Sequence, residues 1–410
     1  MCEAALKILS IAHPAVSRAA GRLRYRPFAA RRDLDVHLVV PTRWHQFGRT
    51  MVADPPGDPG VTTHVMPILF PRGGPMKWYL HVYPRLRRKI RDVAPDVIHL
   101  WEEPWSFVAL QACLLKNDAA LVLEVDQNIL KRLPPPFEAI RRFVLRRTDH
   151  ILSRSPDATA VVRACGYAGP VTPIGYGVDQ DTFRPTAAPR AHEREPGPLT
   201  LGYVGRVVVE KGLDDALDAM AKARTRARLV IMGEGPHLPA LQARAAALGL
   251  SDRVSFERWG TPNDVAAFIQ TLDALVLLTR TTEHVKEQFG RVITEAQACG
   301  VPVIGSTCGA IPDVIGDGGW AVPESDPAAL AKLIDQIAAD PAARLARAER
   351  ARANVASRFT YAATAQALAA AWTQAAAAQP KRRDKLQKIE GTAESDDRGS
   401  RLGKTSAASS

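Results

Sequence analysis

Two stretches of this chain alternate short, almost wholly apolar runs with helix-length amphipathic segments, and that repeated rhythm limits the fold more than any other feature. In the first half Leu6–Ala12, Val36–Val40, Val97–Leu100, Ala120–Val125 and His150–Ser153 read as strands, with helical patterns such as Pro84–Val93 between several of them. In the second half Leu199–Val204, Ala227–Met232, Val254–Phe256, Ala274–Leu278 and Pro302–Gly305 read as strands. Leu213–Lys222, His237–Leu248, Asn263–Thr271 and Arg291–Cys299 read as the helices between them. Continuous apolar strands separated by helices predict parallel sheets covered on both faces. The expected class is α/β: two doubly wound, Rossmann-like domains facing each other across a cleft lined by the carboxyl ends of their strands. Arg184–Pro198 holds four prolines and no periodicity, which predicts a linker. After about Pro380 the chain is rich in Lys, Arg, Asp, Ser and Gly, so a disordered tail is expected.

Composition removes several classes. The chain has 410 residues, enough for two domains, with 46% hydrophobic and 24% charged residues. No apolar run reaches the roughly 18 residues of a membrane span, and the Leu6–Ala12 stretch lacks the flanks of a secretory signal. Cys2, Cys113, Cys165, Cys299 and Cys308 show no CxxC spacing, which reads as reduced thiols in a cytoplasmic protein without a zinc framework. Charge is uneven. Residues 1–190 carry 27 Lys and Arg against 17 Asp and Glu, whereas residues 191–410 carry 27 against 26. Such a basic half favours an anionic partner, whether nucleic acid, a phosphate-bearing substrate or an anionic membrane face.

Doubly wound domains direct attention to nucleotide chemistry. Gly233-Glu234-Gly235 begins a dinucleotide fingerprint, but Leu238 stands where its third glycine belongs, and no P-loop is present. Gly205-Arg206 ends one strand, and Glu210-Lys211-Gly212-Leu213 opens the next helix. Arg206 and Lys211 suit a diphosphate, with amides of the helix end adding to them; exposed loop cations are the alternative. The segment Glu287–Ile304 carries two glutamates, Glu287 and Glu295, eight residues apart around a helix start. Eight helical residues span about 12 Å, too far for the 5–5.5 Å carboxylate pair of retaining glycosidases, and beyond the roughly 9.5 Å limit of inverting ones. The two acids are therefore expected at different ends of one extended ligand, with Gly290 permitting close backbone approach. A sugar nucleotide fits, although a plain helix cap would also explain Glu287.

Glu287 through Val303, with Gly205-Arg206 and Lys211-Gly212, resembles the sugar-nucleotide site of the retaining glycosyltransferases of family 4, which have the GT-B fold. Ile174–Gly177-Val178-Asp179 with Phe183 resembles the family's interdomain turn, and Gly309-Ala310-Ile311-Pro312-Asp313 its glycine-rich loop. Phe359-Thr360-Tyr361 resembles the start of the terminal helix that crosses back to the first domain. The resemblance implies an N-terminal acceptor-side domain over 1–184, a linker over 185–198, a C-terminal donor domain over 199–355, a crossover helix over 356–377 and a tail over 378–410. It further implies that Arg206 and Lys211 hold the donor diphosphate and that Glu295 binds the ribose hydroxyls. Glu287, with the Phe289-Gly290 backbone, would contact the sugar and neighbouring phosphate. Arg291 would read a sugar carboxylate or phosphate, or else be an exposed first-turn residue. Family members are thought to react from the donor's own face, a leaving phosphate oxygen taking the acceptor's proton. No base and no metal cofactor is then expected.

Some positions depart from the family. The glycine pair after the first strand is reduced to Ala19-Ala20-Gly21, leaving Gly21 on the acceptor side and Arg18 or Arg22 to supplement phosphate contacts. Asp126 stands where many relatives place a histidine, and is expected to bind a sugar hydroxyl or offset oxocarbenium-like charge, with a capping role as the alternative. Asp126 thus joins Arg206, Lys211 and Glu287 as the expected catalytic set, and His99 and Glu103 complete the acceptor side, with a structural role as the alternative for His99. A basic acceptor domain suits a glycan, lipid-linked or polyprenyl-diphosphate-linked acceptor at the inner membrane face. Trp78-Tyr79-Leu80 and Tyr83 beside Arg85–Arg91 read as an interfacial helix, with plain packing of those aromatics against the sheet as the alternative. Rival readings are another GT-B enzyme, an inactive relative, or a nucleic-acid-binding protein. The last would need stacking platforms that the sequence lacks, so no specific nucleic acid is expected.

Overall fold

The computed structural model describes residues 5–19, 21–46, 49–70, 77–186 and 198–379. The linker stretch 187–197, the expected tail from 380 onward and Cys2 lie outside them. Among the described residues the first half forms a parallel sheet from β1 (Leu6–Ile11), β2 (Leu34–Pro41), β5 (Thr62–Met66), β6 (Val97–Trp101), β7 (Ala120–Val125), β8 (His150–Ser153) and β9 (Val171–Pro173). Their spatial order is β5-β2-β1-β6-β7-β8-β9. A small antiparallel hairpin, β3 (Arg43–Gln46) and β4 (Arg49–Val52), follows β2. The second half forms β10 (Thr200–Val204), β11 (Arg228–Met232), β12 (Val254–Glu257), β13 (Ala274–Leu277), β14 (Val303–Ser306) and β15 (Gly319–Val322), in the order β12-β11-β10-β13-β14-β15. Every pairing in both large sheets is parallel.

The apolar runs became strands because helices cover both faces: β6, β7, β8 and β13 are buried at every position. Side-chain caps set several helix starts. Ser106 accepts the Ala109 amide and Ser155 the Ala158 amide, while Thr261 and Asp264 form a reciprocal capping box that starts a helix at Pro262. Each half switches direction of strand order at its centre, between β1 and β6 and between β10 and β13. In an open parallel sheet those two carboxyl-end crevices are where ligands bind.

The chain's end ties the halves together. A helix over Pro341–Arg358 stops at Phe359, and Thr360 then accepts the Ala363 amide to start a second helix over residues 361–379. The expected boundary at 355/356 thus falls inside a helix, and the break sits at Phe359-Thr360, where Val178 donates to the Phe359 carbonyl at 2.8 Å. Leu368, Ala369, Trp372 and Ala375 pack with Ile8, Tyr25 and Leu38 of the first half, so this last helix does cross back. The aromatics beside the basic cluster follow the packing alternative rather than the interfacial one. Tyr83 is fully buried, and Tyr79 meets Trp105 and Phe137 edge-on at 5.7 and 6.1 Å. Leu86, Ile90 and Val93 turn inward, leaving Arg87, Arg88 and Arg91 outside; the helix surface is cationic rather than amphipathic toward a membrane. Among the described residues no helix is long and apolar enough to cross a membrane.

Candidate functional site

The second sheet's switch point collects the cations expected for a diphosphate. Gly205, at φ +157°, and the exposed Arg206 leave β10, and the Tyr203 hydroxyl fixes the turn by donating to the Arg206 carbonyl at 2.7 Å. Lys211 closes a short 3-10 turn, after which Gly212 at φ +66° starts the helix Leu213–Lys222 with no side-chain cap. A β-carbon at Gly212 would sit 2.1 Å from the Leu278 carbonyl oxygen, so only glycine permits this approach to the end of β13. Thr279 follows β13. Lys211 Nζ donates to Glu287 Oε2 at 2.6 Å and to Thr279 Oγ1 at 3.2 Å, and Thr279 donates to the same carboxylate at 2.8 Å. Both charged side chains are about five-sixths buried, at 17% and 14% exposure.

The loop carrying Glu287 is fastened by backbone. Its carbonyl accepts the Ala310 amide at 3.0 Å and Asn128 Nδ2 from the first half at 2.9 Å. Gly309, at φ +56°, allows this, because a β-carbon there would stand 2.2 Å from that same carbonyl oxygen. Gly309→Ala is accordingly expected to displace Glu287 and lower kcat/KM more than about tenfold, equivalent to about 1.4 kcal/mol, with the circular dichroism spectrum retained. Wild-type kinetics in that variant would show the glycine is dispensable. Gly290, at φ +78°, then starts the helix Arg291–Ala298, whose amino end also lacks a side-chain cap. Such an end is a natural anion site. Phe289 was expected to serve the donor through its backbone, and its side chain is turned away from the cleft. It is 2% exposed and meets Tyr176 and Phe359 edge-on at 5.2 and 5.4 Å, so only its backbone is left for a ligand. Arg291 is exposed, one turn before Glu295. Burial raises the Glu295 carboxyl above its usual range, partly offset by Arg291.

Across the cleft the first domain gives a different picture. His99 is wholly buried, with Nδ1 2.9 Å from Ser10 Oγ and Nε2 3.3 Å from Glu124 Oε2. Burial lowers its pKa. Its place on central strand β6 turns it into the interior, so it is a structural residue and not an acceptor contact. Asp126 is tied on both oxygens: Arg154 Nε at 2.7 Å and the Tyr176 hydroxyl at 3.0 Å on one, Trp101 Nε1 at 3.2 Å on the other. A carboxylate so engaged holds the β7 end in place, and its side chain keeps 24% exposure. Glu103 Oε1 accepts the Asp126 and Gln127 amides at 2.9 and 2.8 Å. Burial, then the neighbouring Asp126 charge, pushes its pKa up to about 8, leaving it mainly protonated at neutral pH. Gly21 lies against Trp101, where a β-carbon would meet the indole at 3.1 Å. Arg18 and Arg22 do not reach toward a phosphate; both bind Asp58 and the Pro55 carbonyl, bracing that loop.

Sequence reading missed Asn128, Tyr176 and Thr279. No motif marks Asn128 or Thr279, whose only signal was position at strand ends, and Tyr176 lay unremarked inside the segment Ile174–Gly177. Tyr176 links Asp126 of one half to Phe289 of the other, and Lys286 adds an ion pair to Asp157 at 2.8 Å.

Two family models match the chain, Glycosyltransferase Family 4 over residues 27–182 and Glycosyl transferases group 1 over residues 186–354. A GDP-mannose-dependent alpha-(1-6)-phosphatidylinositol monomannoside mannosyltransferase of Mycolicibacterium smegmatis is 33% identical over 231 residues, 54% of this chain and 58% of that protein. The chain thus spans little more than half of that relative's length. A sucrose-phosphate synthase of Thermosynechococcus elongatus has a TM-score of 0.67 at 21% identity, covering 91% of this chain and 100% of that one. HepE of Anabaena, in complex with UDP, also has a TM-score of 0.67, at 17% identity over 89% and 98%. The solved structures share the two-sheet architecture, and the two models between them match most of the chain, one in each half. The chain belongs to the family 4 glycosyltransferases, of GT-B fold.

Proposed function

We propose that this protein transfers a sugar from a nucleotide-sugar donor to a hydroxyl of a glycan or lipid-linked acceptor, with retention at the anomeric carbon. The observation that carries the reading is the Lys211–Glu287–Thr279 cluster, set beside Arg206 and the uncapped amino end of the helix Arg291–Ala298. Arg206, Lys211 and that helix end hold the diphosphate, in place of a metal ion. Glu287 and the Phe289-Gly290 backbone hold the sugar, and Glu295 accepts from the ribose hydroxyls. The acceptor oxygen bonds to the anomeric carbon as the bond to the phosphate oxygen breaks. The acceptor's proton passes to that leaving oxygen on the same face, so no separate base is required. Cations fixed where charge develops supply the main stabilisation. Asp126 and Glu103 shape the acceptor side by holding the β7 end, and Gly21 leaves room beside Trp101.

A thermal-shift screen of sugar nucleotides tests the donor site. One donor class should stabilise the protein, and Glu295→Ala should weaken its binding by about 1.5–3 kcal/mol, the worth of a charge-assisted hydrogen bond. Undiminished stabilisation in that variant places the ribose elsewhere. The relative's printed acceptor, a phosphatidylinositol mannoside, and the outward Arg87, Arg88 and Arg91 support action at the cytoplasmic face of an anionic membrane. Co-sedimentation with anionic vesicles is expected at low ionic strength and should fall steeply with salt, because exposed charges are screened within about 8 Å at physiological strength. Binding independent of lipid charge would contradict that location.

A further inference from the structure

The switch point of the first sheet carries a cluster that the transfer reaction does not use. His13 follows β1, Glu102 follows the adjacent β6, and His81 enters from the segment before the helix Leu86–Val93. His13 Nδ1 lies 2.6 Å and His81 Nε2 3.3 Å from the same Glu102 oxygen, and one ligand-type atom from each residue falls within 4.8 Å of the others. Trp44 walls the group, 4.2 Å from the His13 ring and 5.0 Å from the His81 ring. His81 is wholly buried, yet neither of its ring nitrogens hydrogen-bonds any atom among the described residues. A buried imidazole whose nearest polar contact, to Glu102, falls short of a formed hydrogen bond is unfavourable unless something else satisfies it.

We propose that His13, His81 and Glu102 bind one divalent transition-metal ion of the zinc type. Two imidazoles and one carboxylate are a donor set such ions favour, and three protein ligands leave a further position for water. Tetrahedral bonds of about 2.0–2.2 Å place ligand atoms roughly 3.3–3.5 Å apart. The His81 pair already has that spacing, and His13, whose side chain is 13% exposed, exchanges its hydrogen bond for the ion by a small outward shift. The ion would tie the ends of β1 and β6 to the segment around His81, on the acceptor side of the cleft and apart from the donor's diphosphate.

Chelator-stripped full-length protein dialysed against Zn²⁺ should retain one ion per chain. His81→Gln and Glu102→Gln, each checked for folding by circular dichroism, should weaken retention at least as much as the roughly 10–100-fold lost on removing an outer-shell partner. His64→Asn serves as the control, because the stacked His37–His64 pair, with nitrogens 3.0 Å apart, is the other place where two imidazoles meet among the described residues. That variant should retain zinc unchanged. If the cluster variants do not fold, Co²⁺ substituted into the wild-type protein decides by its absorption: bands of a nitrogen and oxygen site support the cluster, thiolate charge-transfer bands overturn it. No retained ion, equal retention in the cluster variants, or loss in His64→Asn also overturns it.

Discussion

Lys211→Met is expected to lower kcat by at least about a hundredfold at saturating donor, in line with the 10²–10³ lost when one preorganised charge-stabilising donor is removed. The Lys211 ammonium is fixed before any ligand arrives, by Glu287 at 2.6 Å and Thr279 at 3.2 Å, so little reorganisation is needed when charge develops on the leaving phosphate. A site with 17% exposure strengthens such an interaction relative to bulk water. The substitution also strips Glu287 of its cation, so its effect on donor binding should overlap with that of Glu287→Gln. A double-mutant cycle should then show a loss well short of the sum of the two single losses, since groups acting as a unit are strongly non-additive. Steady-state kinetics at pH 7, with circular dichroism as the folding check, would decide. A Lys211→Met enzyme within threefold of wild type would remove the cation from the chemistry altogether.

Legibility in the sequence followed burial. Strands such as Ala120–Val125 and His150–Ser153 could be read to the residue, because covering both faces demands unbroken apolar runs. Some edge elements could not. Thr62–Met66 and the hairpin Arg43–Gln46 with Arg49–Val52 carry mixed polarity, and Gly319–Val322 opens on glycine and leaves its two middle residues unburied. The Glu287 segment was readable because glycines and acids stand in one continuous stretch, and the structure adds that Gly309 and Gly212, outside that stretch, yield space to the carbonyls of Glu287 and Leu278. The partners of His99 and Asp126 escaped the sequence for a common reason. Both were judged by where their strands end, whereas their partners come from Ser10, Glu124, Arg154 and Tyr176, spread over more than 160 residues of chain. A polar residue's role depends on what meets it across the sheet, which local pattern does not encode. The interdomain Tyr176 and Asn128 contacts were invisible for the same reason.

That same cross-sheet network makes the strongest prediction for stability. Glu124 is wholly enclosed, with Arg24 Nη1 at 2.7 Å and Arg154 on one oxygen and His99 near the other; Arg154 continues to Asp126 at 2.7 Å. Both guanidinium groups also lie over the Trp101 ring, at 4.4 and 5.5 Å. Removing one partner from such a buried pairing leaves an uncompensated charge, which typically costs about 3–5 kcal/mol. Arg154→Met should therefore lower the unfolding free energy by that amount, a large part of what holds an ordinary domain folded. The pH response has a defined sign. Burial would raise the Glu124 carboxyl, but Arg24 and Arg154, with His99 assisting, outweigh it and hold the group well below the usual carboxylate range. Its contribution is therefore complete above the unfolded-chain value near about 4.3 and is lost as pH falls below it toward the folded value. Urea unfolding of the wild type at pH 7 and pH 3.5 should show a destabilisation on acidification that shrinks in Glu124→Gln, which has no proton to take up. Arg154→Met with Glu124→Leu should recover part of the single-variant loss, since a neutral apolar pair no longer buries a lone charge. An Arg154→Met loss under about 1 kcal/mol would mean that water, and not protein, solvates Glu124, and the enclosed network would have to be redrawn.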